Sequence, residues 1–421
     1  MIKSSITRSN PGGIRIQGLL MSAVTSMVFL VMITFSIYAE RKGYYSTHFR
    51  KFFLAEILAV ILIVIIVGCE PHSHKRVSVD WFAMLFWASF VAYSLASDLL
   101  VDKKYRFTEI IVFIFLSILG LLWNRTDNKG RYIHDFGRAV QWFLLTLIIL
   151  SILFPAERLL EGRFNGPITN PSVFALYLCS IWAVLLGVLE SQMREGESIY
   201  KKCLTLSEMM VTIALMLLSQ SLTPMIALAV VTFLFFFRMV ARKKGMIIAI
   251  KAFLTIGVAI IIVFAVMVML IRQADIGGSS RIIQKLQSAD MSSFLSGRDI
   301  YWRRYFGEMN LFGHSKKPYL WDHRILPHNA LVGMMYWYGV PCVVPYIVMM
   351  IMAIEKSYRF ADTTVSHSPI PFYCIVSFVI MSMADNVEQP FVWLPWIACY
   401  MMMAPILVMP IGEIEALKGN D

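Results

Sequence analysis

The sequence predicts an all-α polytopic membrane protein, with about twelve transmembrane helices and one large extracytoplasmic loop between helices nine and ten. Three observations carry this. Hydrophobic residues make up 58% of the chain and charged residues only 15%, for a mean hydropathy of +0.67; an ordinary soluble domain has roughly 25% charge. Apolar runs of the roughly 17–25 residues needed to cross a bilayer recur along the whole length. A single polar stretch of 56 residues, 272–327, interrupts them. The chain therefore reads as one membrane domain over 1–421, with the loop as its only large insertion.

The first fifteen residues are polar and basic. The apolar run after them is too long for the core of a secretory leader, so it reads as an uncleaved first span. The twelve spans fall at about 16–39, 52–68, 79–97, 107–123, 139–155, 171–189, 204–219, 224–237, 246–271, 329–353, 370–384 and 391–411. The seventh and eighth are separated only by Ser219–Pro224. There Pro224 removes a backbone donor and Ser219, Ser221 and Thr223 can satisfy freed backbone groups, which predicts a tight turn. The spans carry few charges, with Lys251 near a span end as the main exception.

Lys and Arg in short loops set orientation. With both termini inside, the cytoplasmic segments hold 19 of them and the short outer loops nine, although Arg41, Lys42, Arg50 and Lys51 run against the rule. The 272–327 loop is then outside, away from ATP and nucleotide sugars. The formal net charge of +11 is accounted for by basic residues flanking spans and meeting anionic lipid, so nucleic acid is not an expected partner. Six cysteines are scattered over spans and loop edges, without disulfide or zinc spacing. Phosphate-binding glycine loops and metal-ligand spacings are absent, and no cofactor is expected.

Four stretches concentrate polar chemistry. Within the large loop, Ser296–Phe306 reads as a short amphipathic helix. It carries Arg298, Arg303 and Arg304, whose guanidinium forks suit diphosphate oxygens, and Trp302, which is able to stack on a sugar or sit at the headgroup level. Arg281 lies upstream in the same loop. At the loop's exit, His328 and Asn329 re-enter the membrane after Pro327; a neutral imidazole there suits a general base, and equally suits a capping role. In Gly162–Ser172, turns at Gly166, Pro167 and Pro171 surround Arg163 and Asn170. In Ala384–Pro390, Asp385 and Glu388 lie between the last two spans, where they either contact substrate or balance the arginines.

Taken in order, Arg163-x-x-Gly166 with Asn170-Pro171, Ser219-x-Ser221-x-Thr223, Gly297-Arg298-x-x-x-Trp302 and His328-Asn329-x-Leu331 resemble the O-antigen ligase and surface-polysaccharide polymerase superfamily. The resemblance covers about 160–345 by motif and the whole chain by span count. It departs from the pattern at Leu222, where the family usually has Arg, at Gly313-His314-Ser315 in place of a glycine pair, and at Cys342 in place of a second glycine. It implies a metal-independent inverting glycosyl transfer from an undecaprenyl-diphosphate-linked oligosaccharide at the outer face of a bacterial cytoplasmic membrane. His328 would be the base, and Arg163 and Arg298 would stabilise the leaving diphosphate. Asn329, Asn170, Trp302, Arg281, Arg303, Arg304, Asp385 and Glu388 would contact substrate, with Arg281 or Arg303 replacing the arginine missing at Leu222. A flippase and a chain-length regulator of the same pathway are the protein partners it implies. Polymerase and ligase differ only in acceptor, and polymerase is the favoured expectation. A secondary transporter or flippase is the alternative from another class; its polar groups would lie near the membrane midplane.

Overall fold

Backbone polar groups in hydrocarbon must be satisfied within their own segment, which leaves an apolar chain the helix as its regular element. The computed structural model describes residues 11–42, 49–71, 78–102, 108–153, 159–160, 163–168, 170–251, 254–255, 298–314, 327–385 and 394–418, and 84% of them are helical. The helices are α1 (Pro11–Lys42), α2 (Phe49–Gly68), α3 (Trp81–Ser97), α4 (Thr108–Arg125), α5 (Lys129–Leu153), α6 (Pro171–Arg194), α7 (Ile199–Ser219), α8 (Leu222–Lys244), α9 (Arg298–Glu308), α10 (Ala330–Tyr338), α11 (Val343–Phe360), α12 (Pro369–Ser382), α13 (Leu394–Val408) and α14 (Ile411–Ala416). Among the described residues, seven segments are long and apolar enough to cross a membrane: Leu19–Ile37, Trp81–Val101, Lys129–Leu153, Pro171–Arg194, Ile199–Ser219, Leu222–Lys244 and Val340–Phe360. Four more helical segments, Glu56–Gly68, Ile110–Arg125, Pro369–Ser382 and Leu394–Val408, are apolar but shorter. This is a helical membrane protein. The expected ninth span, 246–271, is described only at 246–251 and 254–255, where it is helical, and its remainder and most of the 272–327 loop lie outside the described residues.

Helix α6 is the central strut. Of its apolar window 94% is buried, against 28% for α7 and for α8, which turn most of their surface outward. It packs on α12, α7 and α8, while α1 packs on α5 and α13 on α4. The expected break between spans seven and eight is present: α7 ends in left-handed Gln220 (φ 50°) and α8 begins two residues later. The expected tenth span, 329–353, is corrected. Helix α10 has only nine residues, about 14 Å, and cannot cross ~30 Å of hydrocarbon. It stops at Gly339, whose φ of 97° no side-chain-bearing residue adopts easily, and the crossing helix starts anew at Val340. The backbone of 310–314 crosses here: Val340 N donates to Asn310 O at 3.2 Å and His314 N to Tyr336 O at 2.9 Å.

The expectation that Lys251 is the main charge among the spans is also corrected. Glu56, Glu190, Arg238 and Lys356 are all buried on helices, whereas Lys251 is exposed. Three of them are satisfied near helix ends. Lys356 Nζ donates to the carbonyls of Leu407 and Met409 at 2.6 and 2.8 Å, and pairs with Asp80 at 2.6 Å. A cation there meets the negative end of α13, and Asp80 also caps α3 through Ala83 N. Glu190 and Arg238 belong to one shared network, and Glu56 Oε1 has no hydrogen-bond partner among the described residues. Sequence position hid these groups because single charges near span ends look solvent-exposed until the bundle closes over them.

A Cβ at Gly339 would overlap the Leu311 carbonyl, whereas one at Gly412 would meet nothing within 4 Å. Gly339→Ala is therefore expected to cost ~2 kcal/mol or more and lower the thermal midpoint of detergent-purified protein, with Gly412→Ala near wild type. Equal midpoints for the two variants would show that the crossing at 310–314 does not constrain Gly339.

The turn between α11 and α12 supports a pH prediction. Burial pushes the His367 imidazole down to about 4, and neighbouring His134, 4.8 Å away ring to ring, acts in the same direction as Lys201, while Glu195 and Glu197 oppose it. As pH falls below 6.5 the unfolded chain takes up the proton before the folded one, so stability is lost between 6.5 and about 4. Wild type should lose ~1–2 kcal/mol more than His367→Asn between pH 7 and 5, read as unfolding midpoints. Asn is the replacement because it tolerates the left-handed backbone (φ 60°) at this position.

Candidate active site

One end of the bundle gathers the beginnings of α6, α8 and α10 with the ends of α7 and α12. Strands β1 (Leu159–Leu160) and β2 (Arg163–Phe164) form a two-residue antiparallel ladder that pairs Leu160 with Arg163. The chain then turns at Gly166 (φ 55°), where a Cβ would strike the Phe174 ring at 2.6 Å, and enters α6 at Pro171. Asn170 caps α6 by accepting from Ser172 N at 2.8 Å. The turn holds Arg163 buried against α7 and α6: Nε donates to Ser219 O at 3.0 Å and Nη2 to Ser172 Oγ at 3.3 Å.

The second arginine arrives from α9. Arg298 Nη1 donates to Thr223 Oγ1 at 3.3 Å, in the first turn of α8. The Ser219–Thr223 turn thus holds both guanidinium groups, one through a main-chain carbonyl and one through a hydroxyl. Burial lowers the proton affinity of Arg298 and the nearby Asp385 carboxylate restores part of it; a guanidinium stays charged under such a shift. At its other end α9 rests on α10: Trp302 Nε1 donates to Pro327 O at 2.6 Å, and the Tyr305 and Tyr336 rings meet edge to face at 4.8 Å.

His328 follows Pro327 in left-handed backbone (φ 49°), a conformation that a non-glycine residue holds at a cost and that the surroundings must enforce. Asn329 enforces it from one side. Its Oδ1 accepts from Val332 N at 3.0 Å, capping α10, and its Nδ2 donates to Met383 O at 2.7 Å, tying α10 to the end of α12. Two residues beyond Met383, Asp385 Oδ1 lies 3.3 Å from His328 Nδ1. The carboxylate is 11% exposed and the imidazole 40%. An ionised Asp385 places the imidazole proton on Nδ1 and leaves Nε2 as the acceptor. The arrangement is a carboxylate-oriented imidazole with two arginines held nearby, suited to removing a proton from a hydroxyl while negative charge builds on a neighbouring group.

The expected residues divide accordingly. Arg298, His328 and Asp385 come together, Arg163 joins them through the Ser219–Thr223 turn, and Asp385 partners the imidazole. Asn329 and Asn170 cap helices, and Trp302 bonds to the Pro327 carbonyl. Arg303 and Arg304 lie on the exposed side of α9. His314 is structural, stacked on Tyr336 at 4.3 Å and bonded to Glu308 O. Arg281 and Glu388 lie outside the described residues. Ser172 and Thr223 hold the arginines and were not singled out for that role; a short hydroxyl side chain at a helix start is too common to signal it. Among the described residues no group of three or more His, Cys, Asp or Glu is placed to hold a metal ion.

Fold and site together define a helical membrane protein with a charged, hydrogen-bonded cluster where six of its elements meet at one end of the bundle. The chain matches no protein-family model and no curated protein.

Because Asn329 both caps α10 and ties it to Met383, Asn329→Ala should destabilise the protein by ~1–2 kcal/mol, the usual cost of losing an N-cap. Asn329→Ser, which keeps the cap and loses the bond to Met383, should recover about half of the lost midpoint shift. No recovery with Ser would assign the whole effect to the tie to Met383.

Proposed function

We propose that this protein is a glycosyltransferase that joins oligosaccharide repeat units carried on undecaprenyl diphosphate into a surface polysaccharide, at the outer face of a bacterial cytoplasmic membrane. The observation that carries the reading is His328 held by Asp385 at 3.3 Å in strained backbone, with Arg298 and Arg163 on the adjoining turn. The shorter apolar helices and 246–271 count as crossings in this reading. The chain then crosses twelve times, with both termini cytoplasmic and the 272–327 loop outside.

In the proposed reaction His328 Nε2 takes the proton of an acceptor sugar hydroxyl. The oxygen forms a bond to the anomeric carbon as the bond from that carbon to the diphosphate breaks, in line and with inversion. Arg298 and Arg163 stabilise the charge gathering on the departing diphosphate, and Asp385 stabilises the imidazolium. The donor is already activated, so the step needs no nucleotide on the outer face. The resemblance in the order of motifs supports the same chemistry. A ligase would use it with a lipid or protein acceptor, and the acceptor alone separates the two. A flippase or transporter would draw instead on buried charge, but Glu190, Arg238 and Lys356 are ion-paired near helix ends.

The deciding experiment is the polysaccharide ladder of a deletion strain complemented with wild type, His328→Ala, Arg163→Ala or Arg298→Ala, at matched membrane levels. Wild type should restore the ladder and His328→Ala should leave single repeats. Each arginine variant should fall by ~10²–10³, the usual loss for one charge-stabilising donor. A full ladder from His328→Ala would sink the base assignment. A ladder of normal length stranded on carrier lipid in the deletion strain would make the protein a ligase.

A further inference from the structure

At the end of the bundle opposite the site, one ionic network joins four helices. Glu190, wholly buried on α6, accepts from Arg238 Nη2 at 3.2 Å and from Arg242 Nη1 at 2.9 Å, both on α8. Its second oxygen accepts from Tyr373 Oη of α12 at 2.5 Å. Asp362, just beyond α11, accepts from Arg238 at 2.9 Å and from Arg242 at 2.5 Å. The Arg238 guanidinium lies 4.8 Å from the Tyr358 ring of α11 and 5.2 Å from the Phe372 ring of α12. Arg238 and Arg242 compensate buried Glu190 and partly exposed Asp362, with the Arg194 guanidinium nearby.

The same helices carry the active-site cluster at their other ends. Helix α6 starts at the Asn170 cap and the Ser172 hydroxyl that holds Arg163. Helix α8 starts with Thr223, which holds Arg298. Just beyond α12, the Met383 carbonyl and Asp385 hold Asn329 and His328, and α11 follows on α10, which starts two residues after His328. Apolar faces packed in hydrocarbon set axial register weakly, because a slid pair still meets lipid-like surface. A buried polar network is satisfied in one register only, and a shift by a fraction of a turn leaves charges unpaired. We propose that Glu190, Arg238, Arg242, Asp362 and Tyr373 are positioning residues for the active site: they fix the register of α6, α8, α11 and α12, and through it the spacing of Asp385, Thr223 and Ser172 at the far end. This rests on the reading that the His328 cluster is the reactive centre, but its test reads geometry without any turnover.

The experiment is pulsed electron-spin distance measurement on full-length detergent-purified protein. Cys69 and Cys203, the exposed native cysteines, are replaced by Ser, and spin labels are placed at Ile226→Cys on α8 and Met383→Cys beyond α12, both exposed positions near the active-site end. Tyr373→Phe removes one hydroxyl bond and Glu190→Gln weakens the hub; Glu355→Gln, which breaks an exposed pair with Arg359, is the control. The distance distribution should broaden and move by about 1–2 Å, the size of helix shifts at repacked interfaces, in Tyr373→Phe and Glu190→Gln but not in the control. Distributions that match the unmutated parent in both variants overturn the proposal. Tyr373→Phe alone decides if Glu190→Gln yields no folded protein. Failure of the His328 assignment is read separately, from the ladder of His328→Ala.

Discussion

Hydrocarbon offers no hydrogen bonds, and this constraint orders the rest of the structure. It makes the apolar stretches helical and confines irregular backbone to helix ends, where side chains, turns or water can satisfy what the helix leaves open. Every positive-φ residue among those described, Gly166, Gly196, Gln220, Gly245, Gly313, His328, Gly339 and His367, lies in a turn, at a helix end or in the crossing at 310–314. Reactive groups collect in the same places for the same reason: only there are polar side chains compatible with their surroundings.

The candidate active site shows how that economy works. Its arginines are held by groups that helix ends provide in any case: the Ser219 carbonyl at the last turn of α7, and the Ser172 and Thr223 hydroxyls in the first turns of α6 and α8. Asn329 caps α10 and ties it to α12 in a single side chain, and this holds the strained His328 beside Asp385. The catalytic reading depends on that rigidity, because a base or charge-stabilising donor displaced by about an ångström loses much of its effect.

The opposite end carries comparable charge in a different state. At the active-site end the imidazole is 40% exposed, and a substrate can reach it. At the other, Glu190 is fully buried and its charge is met entirely within the protein. Exposure separates the two clusters, although both are built from carboxylates and arginines, and it underlies the proposed roles of chemistry in one and register in the other.

The sequence by itself determined the helical membrane class, because hydropathy at span length depends only on composition along the chain. It also marked the break at Ser219–Pro224 and the arginines and histidine at polar stretches between apolar runs, all of them local features. It did not show that the tenth apolar run divides at Gly339, since the reason is a backbone from 310–314 crossing over it. Nor did it show that Asp385 faces His328, 57 residues away, or that Asn170 and Asn329 cap helices. Glu190 and Arg238 lie one residue beyond the expected ends of spans six and eight, and only the packing of α6 against α8 and α12 buried them together. Pairing across the bundle is set by which helix faces meet, and that is a property of the assembled tertiary structure.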